Sequence, residues 1–177
     1  KVRARWQTTI GRDLEGLTLG ILGLGKLGQR SAAVGKAFGM KTIAWSQNLT
    51  EEKAKSSGAD YVSKDDLFCN ADFVTIHLVL SDRSRGLVAA KELGLMKKSA
   101  YLINTSRGPI VDEKALIAVL NSKSIAGVGL DVFDVEPLPL DHPFREMDNV
   151  VITPHLGYVS EQNYRKYFPD IVDDIRA

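Results

Sequence analysis

Three polar residues each follow an apolar run in this sequence. Arg107 comes after "AYLIN" (100–104), Glu136 after "IAGVGLDVF" (125–133) and His155 after "NVVITP" (149–154). A guanidinium is a rigid fork of donors that grips a carboxylate with two hydrogen bonds and stays charged at any working pH. An imidazole exchanges protons near neutrality and can protonate an oxygen that is becoming a hydroxyl. A carboxylate beside that ring would fix its orientation. Each residue alone has an ordinary explanation as a solvated loop charge or a structural histidine. Together they suit hydride chemistry on a carbonyl that carries a neighbouring carboxylate.

A fourth stretch supplies what such chemistry needs. "LGILGLGKLGQRSAAVGKAFG" places Gly23, Gly25 and Gly28 in G-x-G-x-x-G spacing, between an apolar run and a helical pattern. In that context the first glycine permits a tight turn, the second lets the backbone approach a pyrophosphate, and the third lets helix and strand pack closely. The backbone at Lys26, Leu27 and Gly28 would then offer N–H groups and a partial positive charge to the phosphates. The fingerprint usually ends about 20 residues on with an acid that bonds the ribose 2′-hydroxyl. Here that place falls on Ser46, Gln47 or Asn48, and Glu51 and Glu52 read as first-turn residues of the next helix. No carboxylate repels a 2′-phosphate, and no arginine at 46–49 attracts one, so NAD and NADP both remain open. Asp131, inside "GVGLDVF", needs a partner for its carboxylate, and a nicotinamide amide would be a suitable one.

These residues need a frame. Strand-like runs fall at 17–23, 41–45, 72–78, 100–104, 125–133 and 149–154, with helical patterns at 26–38, 50–57, 90–97, 112–121 and about 159–176. Near-continuous apolar strands separated by helices predict an α/β, Rossmann-type doubly wound parallel sheet with helices on both faces. Ligands bind such sheets outside the carboxyl ends of the strands, and the glycine loop and all three polar residues fall on that edge. Thr50 and Asp112 read as helix N-caps. Pro169, inside "YRKYFPDIVDDIRA", predicts a break at Phe168 with a restart at the proline.

The 177 residues fit one domain with short appendages, 44% apolar and 25% charged. Twenty-three basic against twenty-two acidic side chains leave a net charge of +1, which argues for neither nucleic acid nor membrane as partner. Cys69, the single cysteine, reads as a packing residue. His77, flanked by "VTI" and "LVL", reads as a satisfied core or rim residue, and His142 as part of a turn. No grouping has metal-ligand spacing, and no G-x-S-x-G elbow is present. No apolar run approaches membrane-spanning length, so a reducing, cytoplasmic setting is the expectation.

With these motifs in view, the chain resembles the D-isomer-specific 2-hydroxyacid dehydrogenases. The stretches that carry the likeness are "LEGLTLGILGLGKLGQRSA", "LINTSRGPIVDEKAL", "AGVGLDVFDVEPLPLDHPF" and "NVVITPHLGYVS". The resemblance implies interconversion of a small 2-keto acid and a D-2-hydroxy acid with NAD or NADP. By position it makes Arg107 the substrate-carboxylate ligand, His155 the proton donor and Glu136 its partner. Gly23, Gly25, Lys26, Leu27 and Gly28 would hold the pyrophosphate. Ser46 would lie at the ribose, Leu78, Thr105 and Gly157 would line the site, and Asp131 would take the nicotinamide amide. It also implies a homodimer and a second, substrate-binding domain. Residues 17–157 then form the dinucleotide-binding domain, with 1–16 and 158–177 as connecting helices. A dinucleotide-sensing module without turnover, like the corepressors of the same superfamily, is the alternative.

Overall fold

The structure, a computed structural model, describes residues 10–176. The connecting helix expected over 1–16 therefore lies largely outside the described residues, and 10–16 form no helix. Seven parallel strands make one sheet in the order β3-β2-β1-β4-β5-β6-β7. They are β1 (Thr18–Leu22), β2 (Lys41–Trp45), β3 (Asp60–Tyr61), β4 (Phe73–Ile76), β5 (Tyr101–Asn104), β6 (Gly127–Leu130) and β7 (Val150–Ile152). Six of the seven match expected runs, shortened by one to three residues at most ends. The chain leaves β1 toward β2 on one side and returns to add β4 on the other. That reversal opens a crevice at the carboxyl ends of β1 and β4.

Side chains alternate across the sheet, and β1 shows the consequence. Leu19 and Ile21 pack with Ala32 of helix α1 (Lys26–Ala37). Gly20 faces α3 (Lys64–Asn70) so closely that a Cβ there would lie 2.8 Å from Ala71 Cβ. The larger core lies on the α3 side, where Leu67, Phe68, Leu102 and Val128 join residues of α4 (Ala90–Leu95) and α5 (Glu113–Asn121). Each such side chain contributes roughly 1.5–3 kcal/mol on burial. The expected N-caps are present. Thr50 accepts from Lys53 N–H at 3.3 Å to start α2 (Glu51–Ser56), and Asp112 accepts from Ala115 N–H at 3.0 Å to start α5.

Four expectations need correction or completion. Helices do occupy both faces, but among the described residues α1 covers its face only over β1 and β2. Farther along that face Tyr101 and Val151 are exposed, with Tyr101 stacked on Phe73 at 5.5 Å. Helix α3 and the two-residue β3 were not anticipated, because neither is long enough to show a hydrophobic period. Cys69 is not a packing residue. It lies on α3, whose Leu67 and Phe68 point inward, and is itself exposed. Finally, α6 (Glu161–Arg176) runs unbroken through Pro169. Proline's fixed φ suits a helix, and the Arg165 carbonyl that loses its donor sits on an exposed turn where water can replace it. Among the described residues no helix is long and apolar enough to cross a membrane.

Candidate active site

The glycine loop is shaped by two contacts. Gly28 lies against the turn at Gly23, where a Cβ on it would come within 2.1 Å of the Gly23 carbonyl oxygen, so no side chain fits. Leu24 N–H donates to Ser46 Oγ at 3.0 Å, tying the loop to the end of β2. On the outer side a Cβ built on Gly25 would meet nothing within 4 Å, and no side chain caps the start of α1. The result is an open cradle of backbone N–H donors at a helix N-terminus, which fits a pyrophosphate. Beside it lies a cleft of about 480 Å³ whose walls include Gly25, Trp45, Ser46, Leu78 and Val79, within the size range of small-molecule sites.

Arg107 is carried on a loop that its neighbours hold firmly. Asn104, only 1% exposed, donates from Nδ2 to the Arg107 carbonyl at 2.9 Å and accepts from Ser106 N–H at 3.0 Å. Ser106 O–H donates to the Leu78 carbonyl at 2.5 Å, joining this loop to the end of β4. Gly108 packs on the Phe133–Asp134 backbone, where a Cβ would lie 2.1 Å from the Phe133 carbonyl carbon. The Arg107 loop and the loop bearing Glu136 are thus pressed together. Glu136 accepts from Phe133 N–H at 2.9 Å through Oε1, and from His155 Nδ1–H at 2.7 Å through Oε2. Burial raises the Glu136 carboxyl pKa. The His155 and Phe133 hydrogen bonds and the charges of His155 and Arg107 outweigh that and hold it below its ordinary value. Arg107 itself is exposed, walls neither cleft and donates from Nη1–H to the Ser106 carbonyl at 2.6 Å, and its charge is the smallest of the influences that lower the Glu136 pKa.

Asp131 positions the third member. It is 5% exposed, and its Oδ1 accepts from the Thr153 hydroxyl and from Leu156 N–H at 2.8 Å, while Oδ2 accepts from Gly157 N–H at 2.9 Å. These donors bracket His155, which holds a left-handed backbone with φ of 55°. The carboxylate acts as a clip on the segment bearing the histidine. Burial raises its pKa, but the hydrogen bonds from Thr153, Leu156 and Gly157 and the His155 charge bring it below its ordinary value. A second cleft, of about 520 Å³, opens beside the pair and is walled by Phe133, Glu136, Leu138, Thr153 and His155 among others.

The profile described as "D-isomer specific 2-hydroxyacid dehydrogenase, NAD binding domain" matches residues 1–157. The chain belongs to this family. Among curated relatives, glyoxylate reductase of Aeropyrum pernix is 46% identical over 164 residues, covering 92% of this chain and 49% of that protein. Two solved structures are similar. The NAD-complexed D-isomer specific 2-hydroxyacid dehydrogenase of Lactobacillus delbrueckii ssp. bulgaricus has 33% identity and a TM-score of 0.82, covering 93% of this chain and 53% of that one. That of Xanthobacter autotrophicus Py2, in complex with NADPH and MES, has 36% identity and a TM-score of 0.81, covering 97% and 70%. The chain spans about half the length of the curated relatives it matches.

Within this dehydrogenase domain the anticipated residues separate into two clefts and a rim. Gly25, Ser46 and Leu78 line the first cleft, and Glu136 and His155 line the second. Thr105 is exposed beside the Arg107 loop and walls neither cleft, and Gly157 is engaged by Asp131. Lys26 and exposed Leu27 open α1 beside buried Gly28. His77 is half-buried, with Nε2 at 3.0 Å from both the Ser31 and Thr75 hydroxyls, and burial lowers its pKa. His142 caps a turn, as its place in "LDHPF" implied, and its Nε2 lies 3.2 Å from Glu113, which was not anticipated. Sequence reading missed Asn104, whose signal was an asparagine at a strand end, where its side chain bonds nearby backbone. It also missed Thr153, two residues before His155, and the cleft-wall residues Lys53 and Arg83.

Proposed function

We propose that this domain is the cofactor-binding half of an oxidoreductase that interconverts a small 2-keto acid and a D-2-hydroxy acid. The observation that carries this is the His155–Glu136 pair, 2.7 Å apart, on the same sheet edge as the glycine cradle. Arg107, whose exposed guanidinium donates from Nη1–H to the Ser106 carbonyl at 2.6 Å, would turn its fork to the substrate carboxylate and orient the carbonyl. Glu136 holds Nδ1–H of His155, which leaves Nε2 to give its proton to the carbonyl oxygen in reduction and to take it back in oxidation. Bound NAD(P)H would supply the hydride for the carbonyl carbon. Asp131 keeps Thr153, Leu156 and Gly157 in place, and Oδ2, which accepts one internal bond, retains capacity for an amide donor such as that of nicotinamide. A sensor without turnover has no use for a proton donor clipped in this way, which favours the enzyme over a corepressor-like module.

The relatives' names, among them glyoxylate reductase, support a small 2-keto acid as substrate. Residues 17–157 bind the dinucleotide, and 1–16 and 158–177 lead to a substrate domain that closes over Arg107 and His155. The near-balanced charge offers no argument for nucleic-acid or anionic-membrane partners, the single cysteine suits a reducing, cytoplasmic setting, and the family resemblance suggests a homodimer. The test is a pair of assays on the 177-residue chain. It should bind a nicotinamide dinucleotide saturably and reduce 2-keto acids slowly or not at all. Rapid reduction by this chain alone would show that the trio needs no second domain.

A further inference from the structure

We propose that the ribose end of the first cleft is a 2′-phosphate site formed by Lys53, Arg83 and Ser46, which makes NADPH the preferred cofactor. The inference rests on the dinucleotide reading above and deepens it. The cleft wall at the end of β2 comprises Ser46, Gln47, Asn48 and Leu49, and it is joined by Lys53 from α2 and Arg83 from the loop after β4. No aspartate or glutamate lines this cleft, and the nearest acids in sequence, Glu51, Glu52 and Asp82, are not among its walls. Among the described residues, neither the Lys53 ammonium nor the Arg83 guanidinium has a salt bridge to a carboxylate.

The physical consequence is direct. Two exposed cations, without salt bridges among the described residues, reach one acid-free cleft from different elements, and a neutral 2′-hydroxyl makes no use of their charge. A 2′-phosphate dianion does. The ammonium and the guanidinium each make charge-assisted bonds to it. Ser46 contributes as well. Its Oγ already accepts from Leu24 N–H, so its own O–H remains free to donate. The same hydroxyl therefore links the phosphate site to the glycine loop. A ribose-reading carboxylate would offset that charge, and none is present on these walls.

The test titrates the 177-residue chain with NADPH and NADH, following emission of Trp45, which lines the cleft. Adenosine 2′,5′-bisphosphate and adenosine 5′-monophosphate serve as probes of the ribose end alone. NADPH and the bisphosphate should bind about tenfold more tightly than their counterparts, or better, with the advantage shrinking as salt rises. Lys53→Ala and Arg83→Ala should each weaken NADPH about tenfold and leave NADH within about twofold. Gln47→Asp, which brings a carboxylate to this wall, should reverse the preference. NADH binding as tightly as NADPH, or single variants that weaken both cofactors equally, would overturn the 2′-phosphate site while leaving the dinucleotide reading intact. Binding of neither dinucleotide would overturn the dinucleotide reading and this site with it.

Discussion

Replacing Asp131 with asparagine isolates the clip from everything else in the site. The change preserves shape and removes charge. One oxygen can still accept from the Thr153 hydroxyl and Leu156 N–H, but the new amide nitrogen then faces Gly157 N–H, donor against donor, where 2.9 Å now separates a bonded pair. One charge-assisted bond is lost, the N–H of exposed Gly157 must turn to water, and the remaining two bonds lose their charge assistance. That sums to roughly 2–3 kcal/mol. For a chain of this length the melting temperature should fall by roughly 4–10 °C. His155 should respond too, because the released donors flank a residue with φ of 55°, a conformation that costs a non-glycine residue about 1 kcal/mol or more. The pH dependence follows from the depressed carboxyl of Asp131. A group with a lowered folded-state pKa stabilises fully above its unfolded value, about 3.9, and its contribution disappears as pH falls through the folded value. Urea unfolding of both proteins should therefore show a constant gap near neutrality that closes in acid. A gap below about 0.5 kcal/mol at neutral pH, or one that widens in acid, would refute the clip.

Other consequences are equally open to measurement. Gly28→Ala forces a Cβ onto the Gly23 carbonyl. It should destabilise the chain by about 1–3 kcal/mol and weaken dinucleotide binding more than tenfold, and unchanged binding would remove this contact from the cradle. Asp72, Glu92, Asp131 and Glu136 all have lowered pKa values against one raised carboxyl, Asp134, and His77 is lowered too, so wild-type stability should begin to fall as pH drops below about 6.5 and fall further below about pH 4. Stability that rises on acidification would contradict those assignments. Glu136→Gln in the active enzyme should leave dinucleotide affinity within about twofold and lower kcat roughly a hundredfold; an unchanged kcat would separate Glu136 from the proton donor.

The parts of this site that were legible in the sequence are those where one residue type answers a local demand. Strands buried on both faces leave apolar runs, and β1, β2 and β4 to β7 were found from them. The glycine loop was legible because the contact between Gly28 and Gly23 excludes any other side chain. Arg107, Glu136 and His155 were conspicuous as polar residues at strand ends. The rest depends on distance in three dimensions. Asp131 and its donors are 22 to 26 residues apart and meet only once β6 and β7 are in register. Lys53 and Arg83 come from elements on either side of β1, and no local pattern could join them. Helix α3 has only seven residues, too few for a period to stand out, so Cys69 was read from its apolar neighbours instead of from its place on the helix. Continuity through Pro169 depended on the exposure of α6, which composition does not reveal.

The central claim is that this domain supplies the proton donor of a 2-keto acid reductase through His155. His155→Ala in the active enzyme, compared with the unaltered enzyme for NAD(P)H affinity and for kcat on a small 2-keto acid, tests it most directly. Cofactor affinity within about twofold and a kcat lower by roughly a hundredfold or more is the expected result. Turnover preserved in the alanine variant would contradict it.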